Sequence, residues 1–334
     1  MSNNISDLMA GSYLLADLTV RVWSARRTDK EESRKLCESN NADPKAARVI
    51  KELFVGNDSL LKETVSAYNS IRNMFHSATL PWSPHDDGRK VGQRLVSVKD
   101  SLELLAEFAT LKSNAAASRD TFISEYNRLV GQASGSAGGL YNPNLYPSKD
   151  QVASMFDAHL VLTPVPVATD FNRVALPGAL VEGLKELLEK QSEASFGNAV
   201  SELQKRMLDR IQRIGSSLGK LADGEPVRLH GSVMESLIKQ VDEIRTLNVV
   251  NDPAIEHMAR SIESDLTKYD MRAFKHNPDL AGEVAKKANA LAGLLTNAPV
   301  VTTVATQPDP EPTPVPTIPV ENEVTDFDEN EVYY

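Results

Sequence analysis

The chain reads as a helix-rich α+β protein: a long antiparallel helical hairpin, a small mixed or antiparallel sheet, further C-terminal helices and a disordered acidic tail. Three observations predict this class. Apolar residues recur at three- and four-residue spacing through most of 91–129 and 180–295. Leu18, Val20 and Val22 alternate with Thr19, Arg21 and Trp23, the period of a half-buried strand. Residues 300–334 carry eight carboxylates and no Lys or Arg, so of the net charge of −10 the rest of the chain holds −2. Prolines 308, 310, 312, 314, 316 and 319 in that stretch favour extended geometry, and such a composition cannot bury enough apolar surface to offset its ordering entropy.

The elements follow in order. After the Leu18–Trp23 strand, Arg26, Arg27 and Lys30 open a polar segment. Asp43-Pro44 is a helix start, and Val49, Leu53, Leu60/Leu61, Val65, Tyr68 and Ile71/Phe75 carry a helical stripe with Gly56-Asn57 as an interruption. Leu80–Gly88 is rich in turn residues. Val91, Leu95, Val98, Leu102, Leu105 and Ala109, continued by Phe122, Tyr126 and Leu129, predict a helix of roughly 35–40 residues that packs antiparallel on the preceding one. A bend or change of face is expected near Ala115–Ala117. Ser134–Gly139 reads as a flexible connection, and Ser148 as the cap of a short helix around Gln151–Phe156.

His159–Val167 predicts a strand confined to an edge or ended by its prolines, and Asp170–Leu176 a second short strand. Helices are then expected over 180–221, 233–247, Pro253–Tyr269 and Pro278–Leu295. The division drawn is 1–177 for an α+β body with the hairpin, 178–298 for a helical region and 299–334 for the tail.

Conventional enzyme signals are missing: no phosphate-binding loop, dinucleotide fingerprint, zinc-helix motif or nucleophile elbow is present. Gly135–Gly139 lacks the lysine of a nucleotide loop. His85, Asp86 and Asp87 have no second ligand cluster and read as a turn. Cys37, the single cysteine, lies near Arg34 and Lys35 but has no orienting base, and it excludes an intrachain disulfide. No catalytic residue, metal ligand or cofactor is assigned, and the protein is read as a non-enzyme. No stretch approaches the roughly 20 apolar residues of a membrane span. The N-terminus lacks a basic region, so no secretory leader is expected.

The basic residues carry the functional reading. Lys205, Arg206, Arg210 and Arg213 share one flank of the predicted 180–221 helix, and Arg26 and Arg27 form a second cluster beside Trp23. Such groups contact phosphates, while an exposed Trp23 or Phe171 stacks on a base, as in single-stranded-DNA binding. The bland alternative is that the charges solvate helix faces and the aromatics fill the core. The tip, Asp326, Phe327, Asp328, Glu329, Glu331, Tyr333 and Tyr334, suits docking on a basic surface with an apolar pocket. A solubilising brush is its bland counterpart.

The proline-containing tether and the Asp326-Phe327-Asp328-Glu329 to Tyr333-Tyr334 tip resemble the tails of bacterial and phage single-stranded-DNA-binding proteins, although those often end in a more compact tip and the body here has no clear OB barrel. That resemblance implies recruitment of replication or recombination proteins. Separately, Leu14–Arg27, Leu80-Pro81-Trp82 with Asp87-Gly88-Arg89, Tyr146-Pro147-Ser148, and Leu162–Val167 with Asp170 and Phe171 resemble an uncharacterised phage and plasmid protein family often encoded near MoxR-type AAA ATPases. The second resemblance implies a phage accessory protein in the cytoplasm of an infected bacterial host, and it transfers no functional residue. The expected function is a non-enzymatic factor of DNA metabolism that binds single-stranded DNA. The alternative is an adaptor of a MoxR-type ATPase or a phage structural protein, with self-association through its long helices.

Overall fold

A four-stranded antiparallel sheet is ordered around β1 (Tyr13–Arg21), which pairs on one side with β5 (Arg94–Ser97) and on the other with β6 (Asp157–Pro164). The two-residue β4 (Leu80–Pro81) adds outside β5, giving the order β4-β5-β1-β6. The computed structural model describes residues 5–56, 58–83, 92–173, 177–227, 232–248, 253–269, 273–274 and 277–297. Met1–Val301 forms one compact unit. The acidic stretch, including every residue of the 326–334 tip, and His85, Asp86 and Asp87 lie outside the described residues.

The alternation at Leu18–Trp23 marks the outer half of β1, where Thr19 and Arg21 are exposed. β6 is an edge strand that ends at Pro164, opposite Leu14, as its missing backbone donor requires. Residues 168–173 form a turn of 3-10 helix instead of the expected strand. The Asp170 carboxylate accepts from the Val167 N–H at 2.9 Å, and this local bond competes with sheet pairing.

The helix expected from Asp43 is also corrected. β2 (Arg26–Asp29) and β3 (Val49–Glu52) make a separate two-stranded ribbon, bridged by α2 (Lys30–Ser39). Val49 and Ile50 are β-branched and find partners in Asp29 and Thr28, so strand pairing overrides the helical spacing. Asp29 caps α2 by accepting from Glu32 N–H at 3.0 Å. Gly56 then turns at φ 79°, and α3 begins at Ser59 and runs to Ala78.

α4 (Val98–Ala137) is a single helix of 40 residues. It starts later than the apolar spacing suggested, because Ser97 caps it, its hydroxyl accepting from Asp100 N–H at 3.1 Å. It also runs through Ser134–Ala137, so the expected loop is confined to a turn at Gly138–Leu140, where Gly138 has φ 53°. Leu104, Ala115, Phe122, Tyr126, Leu129 and Ala133 are buried, whereas Val98, Leu102 and Leu105 of the expected stripe are exposed. The packed seam is therefore displaced around the helix, and Leu102 stands 76% open to solvent. α3 packs along α4, with the Thr64 hydroxyl donating to the Ser118 carbonyl at 3.2 Å and Phe75 clustering with Leu104. α5 (Lys149–Ser154) begins in a capping box made by Ser148 and Gln151.

The C-terminal helices are α6 (Gly178–Ala222, 45 residues), α7 (Ser232–Leu247), α8 (Pro253–Ile262), a following π-helical turn (Glu263–Thr267) and α9 (Pro278–Asn297). Leu203, Met207, Ile211, Ile214 and Leu218 of α6 meet Leu237, Val241 and Ile244 of α7 and Val284, Ala285 and Ala288 of α9 in one cluster. The same cluster includes Tyr13, Leu15, Leu80 and Leu95, so α6 is packed on the sheet as well as on its own neighbours. No helix among the described residues is long and apolar enough to cross a membrane.

Candidate nucleic-acid interface

Arg206, Arg210 and Arg213 follow one another at i, i+4 and i+7 on α6, beside the buried row Leu203, Met207, Ile211 and Ile214. This spacing keeps the three guanidinium stems on one face. Lys205 and Arg213 are exposed, and Arg206 and Arg210 are half-buried.

Arg206 has structural work to do. Its Nε donates to Glu202 Oε1 at 2.9 Å, Nη2 to the His76 carbonyl at 2.9 Å and Nη1 to the Ser77 carbonyl at 3.3 Å. The last turn of α3 has carbonyls left without helical partners, and a cation there satisfies them. Arg206 thereby clamps α6 to the end of α3.

A fourth guanidinium joins the row. Arg94, on β5, is buried, with Nε donating to the Thr79 hydroxyl at 2.7 Å and Nη2 to the Thr79 carbonyl at 2.8 Å. Burial pushes it down to about 10; the nearby Arg206 adds to the shift and Glu202 opposes it. Arg210 is lowered by burial and then by Arg213 and Arg206. Burial is the larger cause of both shifts, and the neighbouring guanidinium groups add to it. Among the described residues, no ion pair engages Lys205, Arg210 or Arg213, and Glu202 is the carboxylate bonded into the row. Sequence reasoning missed Arg94 because it read 91–109 as one helix. The Ser97-x-x-Asp100 cap signature was the available signal that the helix starts later.

The second basic cluster behaves differently. Arg26 Nη2 bonds Glu52 Oε1 across the ribbon at 2.9 Å, and Arg27 lies beside it opposite Lys51. Trp23, a stacking candidate whose alternative was a place in the core, takes the core: it is 6% exposed and packs against Phe54, Phe122 and Tyr126 at ring-centroid distances of 5.9, 6.4 and 6.2 Å. Three aromatic neighbours offered more apolar contact than water could, so the ring went inward. Phe171 is half-buried. No hydrogen bond or ion pair joins Arg26 or Arg27 to the α6 row among the described residues; Arg26 instead lines a cleft of about 600 Å³ with Ser24, Asp58, Lys62 and Asn69.

Two other features were not foreseen. An open groove of about 830 Å³ lies between α2, β3 and the end of α4, and Leu36, Ile50, Val55 and Leu140 line it while remaining 44–59% exposed. Near α7, Glu243 is pushed up to about 7, mainly by burial; Arg206 pulls it down and Asp100 pushes it up. Cys37 is buried, with its thiol 4.0 Å from the Ala47 carbonyl, and among the described residues no group of three His, Cys, Asp or Glu side chains could hold a metal ion. No family model, curated protein or solved structure matches this chain.

Proposed function

We propose that this protein is a non-enzymatic accessory factor that binds single-stranded nucleic acid through the α6 row, and that its acidic C-terminal stretch recruits a second protein. The observation that carries the reading is the row of Arg206, Arg210 and Arg213 on one face of α6, in which Arg210 and Arg213 have no ion pair among the described residues. A polyanion supplies the charge that this face lacks and releases its own counterions on binding. Arg210, Arg213 and Lys205 are the phosphate contacts in this reading. Arg206 and Arg94 hold the row in place, and Arg26 and Arg27 have a secondary part. Trp23, sealed in its aromatic cluster, is not a stacking platform.

The test is fluorescence-polarisation binding of the full chain to a single-stranded oligonucleotide across a salt series. Replacing Arg210 and Arg213 with Glu is expected to weaken binding about 10-fold or more at low salt and to flatten the salt dependence. Deleting residues 300–334 removes eight negative charges and is expected to strengthen it. Unchanged affinity in the double variant, or no binding by the parent at low salt, overturns the reading.

A second reading, a protein-docking adaptor such as one for a MoxR-type ATPase, is favoured by the Leu36–Ile50–Val55–Leu140 groove. Exposed apolar side chains gathered in one groove are the usual mark of a protein-binding surface. Loss of ATPase association in Ile50→Asp, with oligonucleotide binding intact, would favour this alternative.

A further inference from the structure

The β2–β3 ribbon pairs only with itself among the described residues, so β3 keeps an outer edge. That edge runs along the open groove of about 830 Å³, which Val49, Ile50, Lys51 and Glu52 all line. Ile50 stands 58% exposed there. A free strand edge that carries an exposed β-branched side chain is a template for another strand.

The pairing fixes which backbone groups point outward. The Leu53 N–H donates to the Ala25 carbonyl at 3.0 Å, and the register then sets Glu52 opposite Arg26 and Ile50 opposite Thr28. Facing residues of an antiparallel pair alternate between exchanging both backbone bonds and exchanging none. With Ala25 and Leu53 a bonded pair, Ile50 and Glu52 fall in the non-bonded ones, and their N–H and C=O groups point away from β2. The Val49 N–H goes the opposite way, to the Ser33 hydroxyl at 2.9 Å, which itself donates to the Asp29 carbonyl. Among the described residues no other element bonds the backbone of Ile50 or Glu52. Arg48, Ile50 and Glu52 are exposed in alternation with the half-buried Val49 and Lys51. The edge therefore presents a cation, an apolar residue and an anion, in that order.

We infer that β3 pairs antiparallel with β3 of a second copy of this chain, about a twofold axis at Ile50. The two ribbons join into one four-stranded sheet. Ile50 lies opposite the partner's Ile50, Arg48 opposite the partner's Glu52, and Glu52 opposite the partner's Arg48. All three are pairs of outward-pointing residues, so each exchanges its N–H and C=O groups across the axis.

Neighbouring registers lose this match. A slip by one residue sets outward groups against inward ones. A slip by two sets Ile50 opposite the partner's Glu52, with Lys51 against the partner's Lys51, or else sets Ile50 opposite the partner's Arg48. The Ile50-centred register keeps apolar against apolar and both cations against anions, the pairings that stabilise a sheet. Such a contact is self-complementary, as a twofold interface requires.

The charges along the groove favour the same occupant. Lys35 is held by Glu31 and Glu32 at 3.0 and 2.9 Å, and Lys51 by Asp29 at 2.5 Å. Arg48 has no ion pair among the described residues. Glu52 gives Oε1 to Arg26 at 2.9 Å and keeps Oε2 for the partner's Arg48. Leu36, Val55 and Leu140 line the same groove and add apolar surface beside the short ladder. The inference does not rest on the nucleic-acid reading, and it gives to a second copy the groove that the adaptor reading leaves to another protein.

Sedimentation equilibrium of the full chain, without any ligand, tests the contact from micromolar to sub-millimolar concentration. The parent is expected to show a reversible monomer–dimer equilibrium. Ile50→Lys, at an exposed position that leaves the cores intact, sets two ammonium groups at the axis and is expected to abolish the dimer. Arg48→Glu brings a carboxylate against the partner's Glu52, and Glu52→Arg brings a guanidinium against the partner's Arg48. Each alone is expected to weaken dimerisation about 10-fold or more. Mixed in equal amounts, these two variants regain opposite charges at both positions and are expected to associate more tightly than either does with itself. Misfolding or a general change of net charge would not produce that rescue. A parent that stays monomeric across the range overturns the inference. So does a dimer indifferent to the three substitutions, or a mixture no tighter than its two components.

Discussion

The two larger cores among the described residues are built on different chemistry. Around Trp23, aromatic rings dominate: Phe54, Phe122, Tyr126, Tyr146, Tyr68 and Phe156 are linked by ring contacts of 5.7–6.4 Å, several of them edge-on. Their polar ends are satisfied, since Tyr126 Oη donates to the Pro147 carbonyl at 2.8 Å and Tyr146 Oη to the Leu53 carbonyl at 2.7 Å. Around α6 the core is aliphatic and alanine-rich, drawn from α6, α7 and α9. At its border sit Tyr13, Gln240, Glu243, Arg94 and the crowded arginines. The first core uses few large residues, each with a defined partner, to fix loops and a ribbon on the helices. The second uses many small contacts and tolerates unmatched charge at its margin.

The sharpest way to break the contrast is to remove one ring. Phe122 is fully buried and touches Trp23, Phe54, Tyr126 and Phe156. Phe122→Ala is expected to cost about 3–5 kcal/mol in denaturant unfolding, because four neighbours lose contact with one side chain and the cavity is too rigidly lined to collapse. A loss below about 1 kcal/mol would mean that the aromatic core repacks as readily as the aliphatic one. Next in size is Gly215, where α6 approaches α9. A Cβ there would stand 2.6 Å from Asn289 Oδ1 and 3.3 Å from Ala288 Cβ. Asn289 can swing away from a methyl group, but a branched side chain must push the helices apart. Gly215→Leu is expected to cost about 1–3 kcal/mol.

These two sites also show what could be read from the sequence. The helices of the second core were legible because Leu203, Met207, Ile211, Ile214 and Leu218 repeat with one period over a long run, and Val233–Leu247 repeats it again. The ribbon was not. Four-residue strands are too short for periodicity to separate from a helix, and the pairing of Arg26–Asp29 with Val49–Glu52 depends on chain far apart in sequence. On α4, Leu102 and Leu105 obey the same spacing as the buried seam, and only the position of α3 decides which stripe is covered. For the candidate site, the clustering of Arg206, Arg210 and Arg213 followed from helical spacing alone. Arg94 and Glu243 did not, since their proximity to Arg206 is made by the packing of β5 and α7 on α6.

A smaller effect separates the start of α4 from its body. Ser97→Ala removes the hydroxyl that accepts from Asp100 N–H and bonds its carboxylate, and a cap of this kind is worth about 1 kcal/mol. Thermal unfolding should register that loss.

The least effect is expected on the ribbon. Arg26 and Glu52 bond at 2.9 Å, yet their side chains are 62% and 54% exposed, so water and salt screen the pair and holding it fixed costs side-chain entropy. Arg26→Ala should change unfolding stability by less than about 0.5 kcal/mol. Oligonucleotide affinity is the more telling readout for this variant. If the crowded α6 row supplies the phosphate contacts, Arg26→Ala should weaken binding far less than Arg210→Ala at the same salt concentration. Equal losses would mean that the ribbon and the α6 row share one bound strand, and the functional contrast between the two cores would fail.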